Sequence, residues 1–197
     1  MRTIVVLGAG FSMAVSALAA PALRGNAGNG ERLFKELKCV ACHSVKGAGG
    51  KSAPALGAGA GQLYTPNTMA GAMWSHATAM WQAMDQAGIR RPQLTEQQAA
   101  DLYAFFAGSP SADKPGDPKR GQQIYQAKLC ASCHDMPDTG APSLAVQAGR
   151  VSSFWMVSAL WQHGAGMLSR MAAKKTDWQR LTAGEMGHII AYLNAKK

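Results

Sequence analysis

The chain has 197 residues, with 20 Lys+Arg against 11 Asp+Glu and a formal charge of +9 when histidines are neutral. Only 16% is charged and 47% is apolar, against roughly 25% charged in an ordinary globular chain, which excludes a highly charged disordered protein. No Gly-X-Y period runs through the 22 Gly and 9 Pro, so a collagen-like rod is excluded, and the length allows one or two domains of ~100–200 residues each.

The chain opens with Met1-Arg2, an apolar run from Ile4 to Val15, and the small residues Ala17-Leu18-Ala19-Ala20. That is the charged start, apolar middle and cleavage site of a secretory signal peptide. The run is shorter than the ~20 apolar residues a spanning helix needs. Thr3 to Gly10 imitates a strand entering a Gly-x-Gly-x-x-Gly turn, but Met13 stands at the third glycine, and Pro21 and Gly25 stop any following helix. No later segment supplies the second strand and acidic residue of a dinucleotide site. A signal peptide over residues 1–20, cut between Ala19 and Ala22, predicts an exported, periplasmic protein.

From there the chain is written twice. Cys39-Val40-Ala41-Cys42-His43 returns as Cys130-Ala131-Ser132-Cys133-His134, an offset of 91. Gly30 with Leu33-Phe34 returns as Gly121 with Ile124-Tyr125; Pro54-Ala55-Leu56 returns as Pro142-Ser143-Leu144. Trp74-x-His76-x-x-x-Met80 returns as Trp161-x-His163-x-x-x-Met167, and Leu94-Thr95 as Leu181-Thr182, both at an offset of 87. Ordered recurrence of this kind marks a duplicated unit. Between the copies, Gly108-Ser109-Pro110 through Pro115-Gly116-Asp117-Pro118 reads as a polar linker.

Each copy reads as helical. Leu33, Phe34 and Leu37 fall on one face of a helix over Glu31 to Lys38. Thr65-Pro66 is an N-cap with proline in the first turn, and Thr95 caps a helix burying Ala99, Leu102, Tyr103 and Phe106. No convincing alternating strand is present, so the expectation is all-α. The boundaries are a signal peptide at 1–20, a domain at 21–108, a linker at 109–118 and a second domain at 119–197.

A Cys-x-x-Cys-His pentapeptide is a covalent haem attachment site. Two thiols three residues apart can reach the two vinyl groups of one haem, and the following histidine is held against the iron. That histidine needs an acceptor for its other ring nitrogen, which a backbone carbonyl near Pro54 or Pro142 can supply. A redox dithiol or half of a zinc site are the competing meanings of Cys-x-x-Cys. Zinc would require the two pairs to converge, and a disulfide would leave both histidines unexplained. The pattern therefore predicts two haem c groups, on Cys39 and Cys42 with His43 and on Cys130 and Cys133 with His134.

With its Gly30/Phe34 and Gly121/Tyr125 pairs, both pentapeptides and the Pro-x-Leu triplets, the mature chain resembles tandem class I c-type cytochromes, similar to the two-haem cytochrome c-four group. The resemblance implies a small helical domain in which first and last helices cross around each haem, with Gly30 approaching the helix near Phe105 and Gly121 that near Tyr192. It also implies that a downstream methionine binds each iron from the other side. Three pairs recur: Met69/Met156, Met80/Met167 and Met84/Met171. Met69 and Met156 read as core residues. Met80 and Met167 are the expected ligands, because Gly164-Ala165-Gly166 should break the helix before Met167. Met84/Met171 and His76/His163 remain alternatives, and Trp81 and Leu168 stand where the family commonly has proline after the methionine. Trp74 and Trp161 read as packing around the haem or between domains. Trp81, Trp155 and Trp178 do not recur and carry no signal, and unrepeated His188 reads as a surface residue.

Without Arg2 the charge is about +8, and four haem propionates bring it near ~+4. Lys35, Lys38, Lys46 and Lys51 flank the first pentapeptide, and Lys119, Arg120 and Lys128 precede the second. Such charges would steer redox proteins with acidic docking surfaces. The expected function is one-electron transfer through two His/Met haems, with no catalytic residues and no nucleic-acid partner. The alternatives are a peroxidase-like enzyme or sensor with an open sixth position, or an electron-accepting subunit of a dehydrogenase or oxidase complex, peripheral to a membrane.

Overall fold

The computed structural model describes residues 23–57, 63–109 and 111–196. The expected signal peptide and Pro110 of the linker lie outside the described residues. Seven α-helices account for most of what is described, as the all-α expectation requires.

Helix α1 (Ala27–Glu36) begins at Ala27 rather than Glu31 because Asn26 caps it, its side chain accepting from the Asn29 N–H. It ends before Lys38, whose φ of 62° is left-handed. A small hairpin follows, β1 (Ser44–Val45) against β2 (Ala48–Gly49). Lys46 and Gly47 close it with φ of 50° and 83°, the sign that a two-residue hairpin turn demands. Strands of two residues are too short for alternation to show in sequence, which is why none was expected. Helix α2 (Pro66–Gln86) starts as expected, with Thr65 accepting from Thr68 N–H. Helix α3 (Glu96–Ala107) carries a full capping box between Thr95 and Gln98.

The second half follows the same plan with α4 (Pro118–Ala127), α5 (Ala131–His134), α6 (Ser153–Ala173) and α7 (Ala183–Ala195). Helices of ten residues such as α1 and α4 are marginal alone, so packing must hold them. Helix α1 crosses α3, and α4 crosses α7. Phe34 and Tyr125 are 2% and 1% exposed there, each contributing roughly 1.5–3 kcal/mol by burial. The crossings are close because of glycine. A Cβ on Gly30 would sit 2.0 Å from Asp101 O and 2.8 Å from the Phe105 Cβ; one on Gly121 would sit 1.9 Å from His188 O and 2.7 Å from the Tyr192 Cβ.

Two expectations are corrected. Gly164-Ala165-Gly166 does not break the helix before Met167, because α6 runs unbroken from Ser153 to Ala173. Gly164 is instead a packing position: a Cβ there would meet the Trp81 ring at 2.5 Å. That contact outweighs a helix penalty of about 1 kcal/mol per glycine. His188 is not simply a surface residue. Its Nδ1 accepts from the Asp117 N–H at 2.9 Å, as Asp101 Oδ1 accepts from the Asn26 N–H at 2.7 Å in the first half.

The halves share a core and a reciprocal interface. Ser75 on α2 donates to Leu181 O (2.8 Å) and accepts from Leu181 N–H (2.9 Å). On α6, Ser158 and Gln162 donate to Leu94 O at 2.8 and 3.0 Å. The linker is fastened too. Asp113 accepts from the Asn67 N–H at the start of α2 (3.0 Å), and Ser153 of α6 donates to Asn67 Oδ1 (2.7 Å).

Gly30→Ala and Gly121→Ala should each destabilise by about 1–3 kcal/mol through overpacking, whereas Gly184→Ala, with nothing within 4 Å of its Cβ position, should stabilise α7 by roughly 0.5 kcal/mol. Denaturant unfolding of the three variants checks both signs. Glu185 supplies a second test. Burial raises its pKa, but hydrogen bonds from Thr182 and Lys128 and the Lys128 charge together hold it below the ordinary range. A depressed carboxylate stabilises above its unfolded pKa, and that contribution is lost as pH falls through the folded value. Glu185→Gln should therefore be less stable than wild type near neutral pH, with the gap closing in acid, as urea titrations at both ends would show.

Candidate functional site

Each cysteine-containing turn is held by backbone bonds. In the second half, Cys133 and His134 N–H both donate to Cys130 O, at 3.2 and 3.0 Å; in the first, Cys42 and His43 do the same to Cys39 O at 3.2 and 3.0 Å. Both thiols and the imidazole therefore project from one tight turn in each half. None of the four cysteines forms a disulfide. Burial pushes the Cys39 and Cys130 thiols up to about 11, so both stay protonated near neutral pH. A reactive dithiol needs the opposite shift.

The histidines are oriented as the sequence predicts. His43 Nδ1–H donates to Pro54 O at 2.7 Å, and His134 Nδ1–H donates to Pro142 O at 2.9 Å. A carbonyl can only accept, so each Nδ1 carries a proton and Nε2 is the ring nitrogen that remains to bind a metal. This is how a ligating histidine is held.

In the second half these groups open onto a largely apolar cleft. Cys130, Cys133 and His134 line it together with Met167 and Met171 of α6, and Leu144, Met156, Ile189 and Leu193 contribute to its apolar wall. The structure thus gathers every site residue expected of the second copy. It places Met171 beside Met167, one helical turn on. His163 is exposed and outside that lining. In the first half, Cys39, Cys42 and His43 share their turn, while Met80 and Met84 lie half-buried on α2 and His76 is exposed, its Nδ1–H donating to Ala72 O at 2.9 Å.

Two tryptophans also line this cleft: Trp74, expected there or between domains, and Trp178, which carried no signal in the sequence. Trp74 crosses from the first half to line the second half's cleft, its Nε1–H donating to Gln179 O at 2.8 Å. Trp178 lines the same cleft and donates to Trp74 O at 2.8 Å. Such cross-half contacts leave no periodic signal. Lys128, expected as a docking charge, instead pairs with Glu185 (3.2 Å) and donates to Arg180 O (2.9 Å).

These residues fit a haem. Two thiols, an imidazole with Nε2 available and an apolar cleft with methionine sulfur form a set suited to a large apolar iron macrocycle. Trp161, the counterpart of Trp74, adds a further sign: its indole N–H is buried without an acceptor among the described residues. An orphaned buried donor costs about 1–3 kcal/mol unless a bound group supplies the acceptor.

Residues 27–109 match the family model of cytochrome c, and residues 116–193 match that of cytochrome c oxidase, cbb3-type, subunit III. No curated protein and no solved structure matches the chain. The two family matches fall one on each half, and each half crosses its first and last helices beside a Cys-x-x-Cys-His turn. The chain carries two class I c-type cytochrome domains in tandem.

Proposed function

We propose that this protein is a periplasmic dihaem c-type cytochrome that passes electrons singly between redox partners through two His/Met haems. Cytochrome c domains transfer electrons through haem, and one observation carries the finer assignment. In both halves the pentapeptide histidine donates its Nδ1 proton to a proline carbonyl, leaving Nε2 for iron.

Cys39, Cys42 and His43 would hold one haem, and Cys130, Cys133 and His134 the other, each thiol adding across a vinyl group. The bound iron supplies the reversible one-electron change. The protein's task is to fix the ligands, exclude water from the cleft and keep the histidine tautomer. Met80 and Met167 are the distal ligands in this proposal. Support comes from Met167 lining the cleft that contains His134, while the rival His163 is exposed outside it. Met171 lines the cleft as well, so Met84 and Met171 are the variants to compare.

The proposal takes residues 1–20 as the export signal, with domains at 21–108 and 119–197 joined by the linker at 109–118. Among the described residues no helix is long and apolar enough to cross a membrane. Exposed Lys38, Lys46 and Lys51 beside the first pentapeptide would favour partners with acidic docking surfaces. The match of residues 116–193 to the family of an oxidase subunit supports a second form of the same role, electron delivery within a larger oxidoreductase complex.

Attachment has a direct chemical test. The denatured holoprotein should show no titratable thiol and a c-type pyridine haemochrome equal to two haems per chain, and Cys130→Ser with Cys133→Ser should leave one. The distal ligands are tested by the far-red methionine-to-ferric-iron absorption. Met80→Ala and Met167→Ala should each remove half of it, while Met84→Ala, Met171→Ala and His163→Ala should leave it whole. Retention of the full band in Met167→Ala would move the ligand to Met171.

A further inference from the structure

Four tryptophans meet where the halves join, and their rings form one connected series. Trp74 stacks on Trp178 with centroids 5.2 Å apart, Trp178 meets Trp81 edge-on at 5.6 Å, and Trp81 meets Trp161 edge-on at 6.4 Å. All three separations lie within the range of aromatic contact. The series begins at a functional site, since Trp74 and Trp178 both line the cleft of Cys130 and His134. It ends at Trp161, which holds in α6 the position that Trp74 holds in α2. The reciprocal bonds of Ser75 to Leu181 O and of Gln162 to Leu94 O make α6 face the first domain as α2 faces the second. By this repeat symmetry Trp161 stands on the side of α6 toward the first domain, as Trp74 stands on the side of α2 toward the second.

We infer that the series Trp74–Trp178–Trp81–Trp161 is an electronic bridge between the two haem sites, and this rests on the haem assignment above. One electron leaves the reduced site and arrives at the oxidised one, while no indole is oxidised or reduced. Contact between π systems couples the two ends more strongly than saturated side chains of the same length, because tunnelling decays faster across aliphatic packing and gaps. The rings are held in register by more than shape. Trp178 donates to the Trp74 backbone and Trp74 donates to Gln179 O, both at 2.8 Å. Trp81 is 2% exposed and seated against Gly164, where any Cβ would strike it.

A charge sets the mode of coupling. The Arg91 guanidinium lies 5.5 Å from the Trp81 ring centroid. A cation over the ring is favourable to the neutral indole but repels a positive charge on it. Oxidation of Trp81 is therefore disfavoured, and the series acts as a medium for tunnelling rather than as a set of stopping places.

The test compares electron equilibration between the haems of the holoprotein after partial photoreduction, followed by absorbance. Trp81→Leu and Trp178→Leu should slow equilibration about tenfold, with the tryptophan exciton signal lost from the near-ultraviolet circular dichroism; Trp81→Leu, outside the cleft lining, should do so with both reduction potentials unchanged by spectroelectrochemistry. Trp81→Phe, which keeps a π system at the centre, should restore most of the rate. Ser75→Ala loosens the same interface without touching a ring and should leave the rate as it is. Unchanged rates in both leucine variants would overturn the bridge, as would equal slowing in Ser75→Ala, which would assign the effect to domain packing. A haem content below two per chain in the wild type would instead remove the assignment on which the bridge rests.

Discussion

Everything in each half hangs on a backbone-to-backbone contact at a glycine. Where α1 meets α3 and α4 meets α7, the carbonyls of Asp101 and His188 occupy the space that a Cβ on Gly30 or Gly121 would need. This closeness lets two short helices, neither stable alone, bury Phe34 and Tyr125 against the last helix of their half. The crossing anchors the start of the turn that follows α1 or α4 and carries the two thiols and the histidine. Any side chain on those glycines would push the helices apart and move the cysteines with them.

Domains of this size bury a small share of their surface and are marginal when isolated. The two halves answer that by sharing a core, so that Met69 and Leu102 of the first belong to one cluster with Met156 and Leu193 of the second. The polar contacts at the join are reciprocal and mostly directed to backbone groups of Leu94 and Leu181. Buried carbonyls of this kind need partners, and each half supplies them to the other. Asp113 adds a carboxylate at the N-terminus of α2, where the helix dipole favours it, and so ties the connecting segment to the same junction.

Much of this was legible because it is local. Thr65-Pro66 and Thr95 announce helix starts through chemistry confined to a few residues, and the proline carbonyls near His43 and His134 lie within a short loop. The duplication made paired glycines and pentapeptides stand out. What the sequence concealed is what one half does to the other. Gly164 looked like a helix breaker because its occupant, the ring of Trp81, comes from a distant segment. His188 looked unpaired because its counterpart is Asp101, a different residue type accepting the same kind of backbone bond. Trp178 and Trp81 lacked repeats because they serve the junction, which exists only once.

The junction also shows how a duplicated chain becomes unequal. Counterparts across the offset are Trp178 and Arg91, Trp81 and Leu168, and Gln179 and Pro92. Trp178 closes the second domain's cleft with an apolar ring, whereas its counterpart Arg91 is a cation lying over Trp81. Trp74 gives its N–H to Gln179 O, but Trp161 finds no acceptor for its own among the described residues. Identical groups held at the two Cys-x-x-Cys-His turns would therefore meet different local charge and hydrogen bonding, the variables that tune an iron site beyond its direct ligands. Directional traffic between two chemically identical cofactors would require such a difference, and substitutions at the shared junction supply one with both Cys-x-x-Cys-His turns left intact.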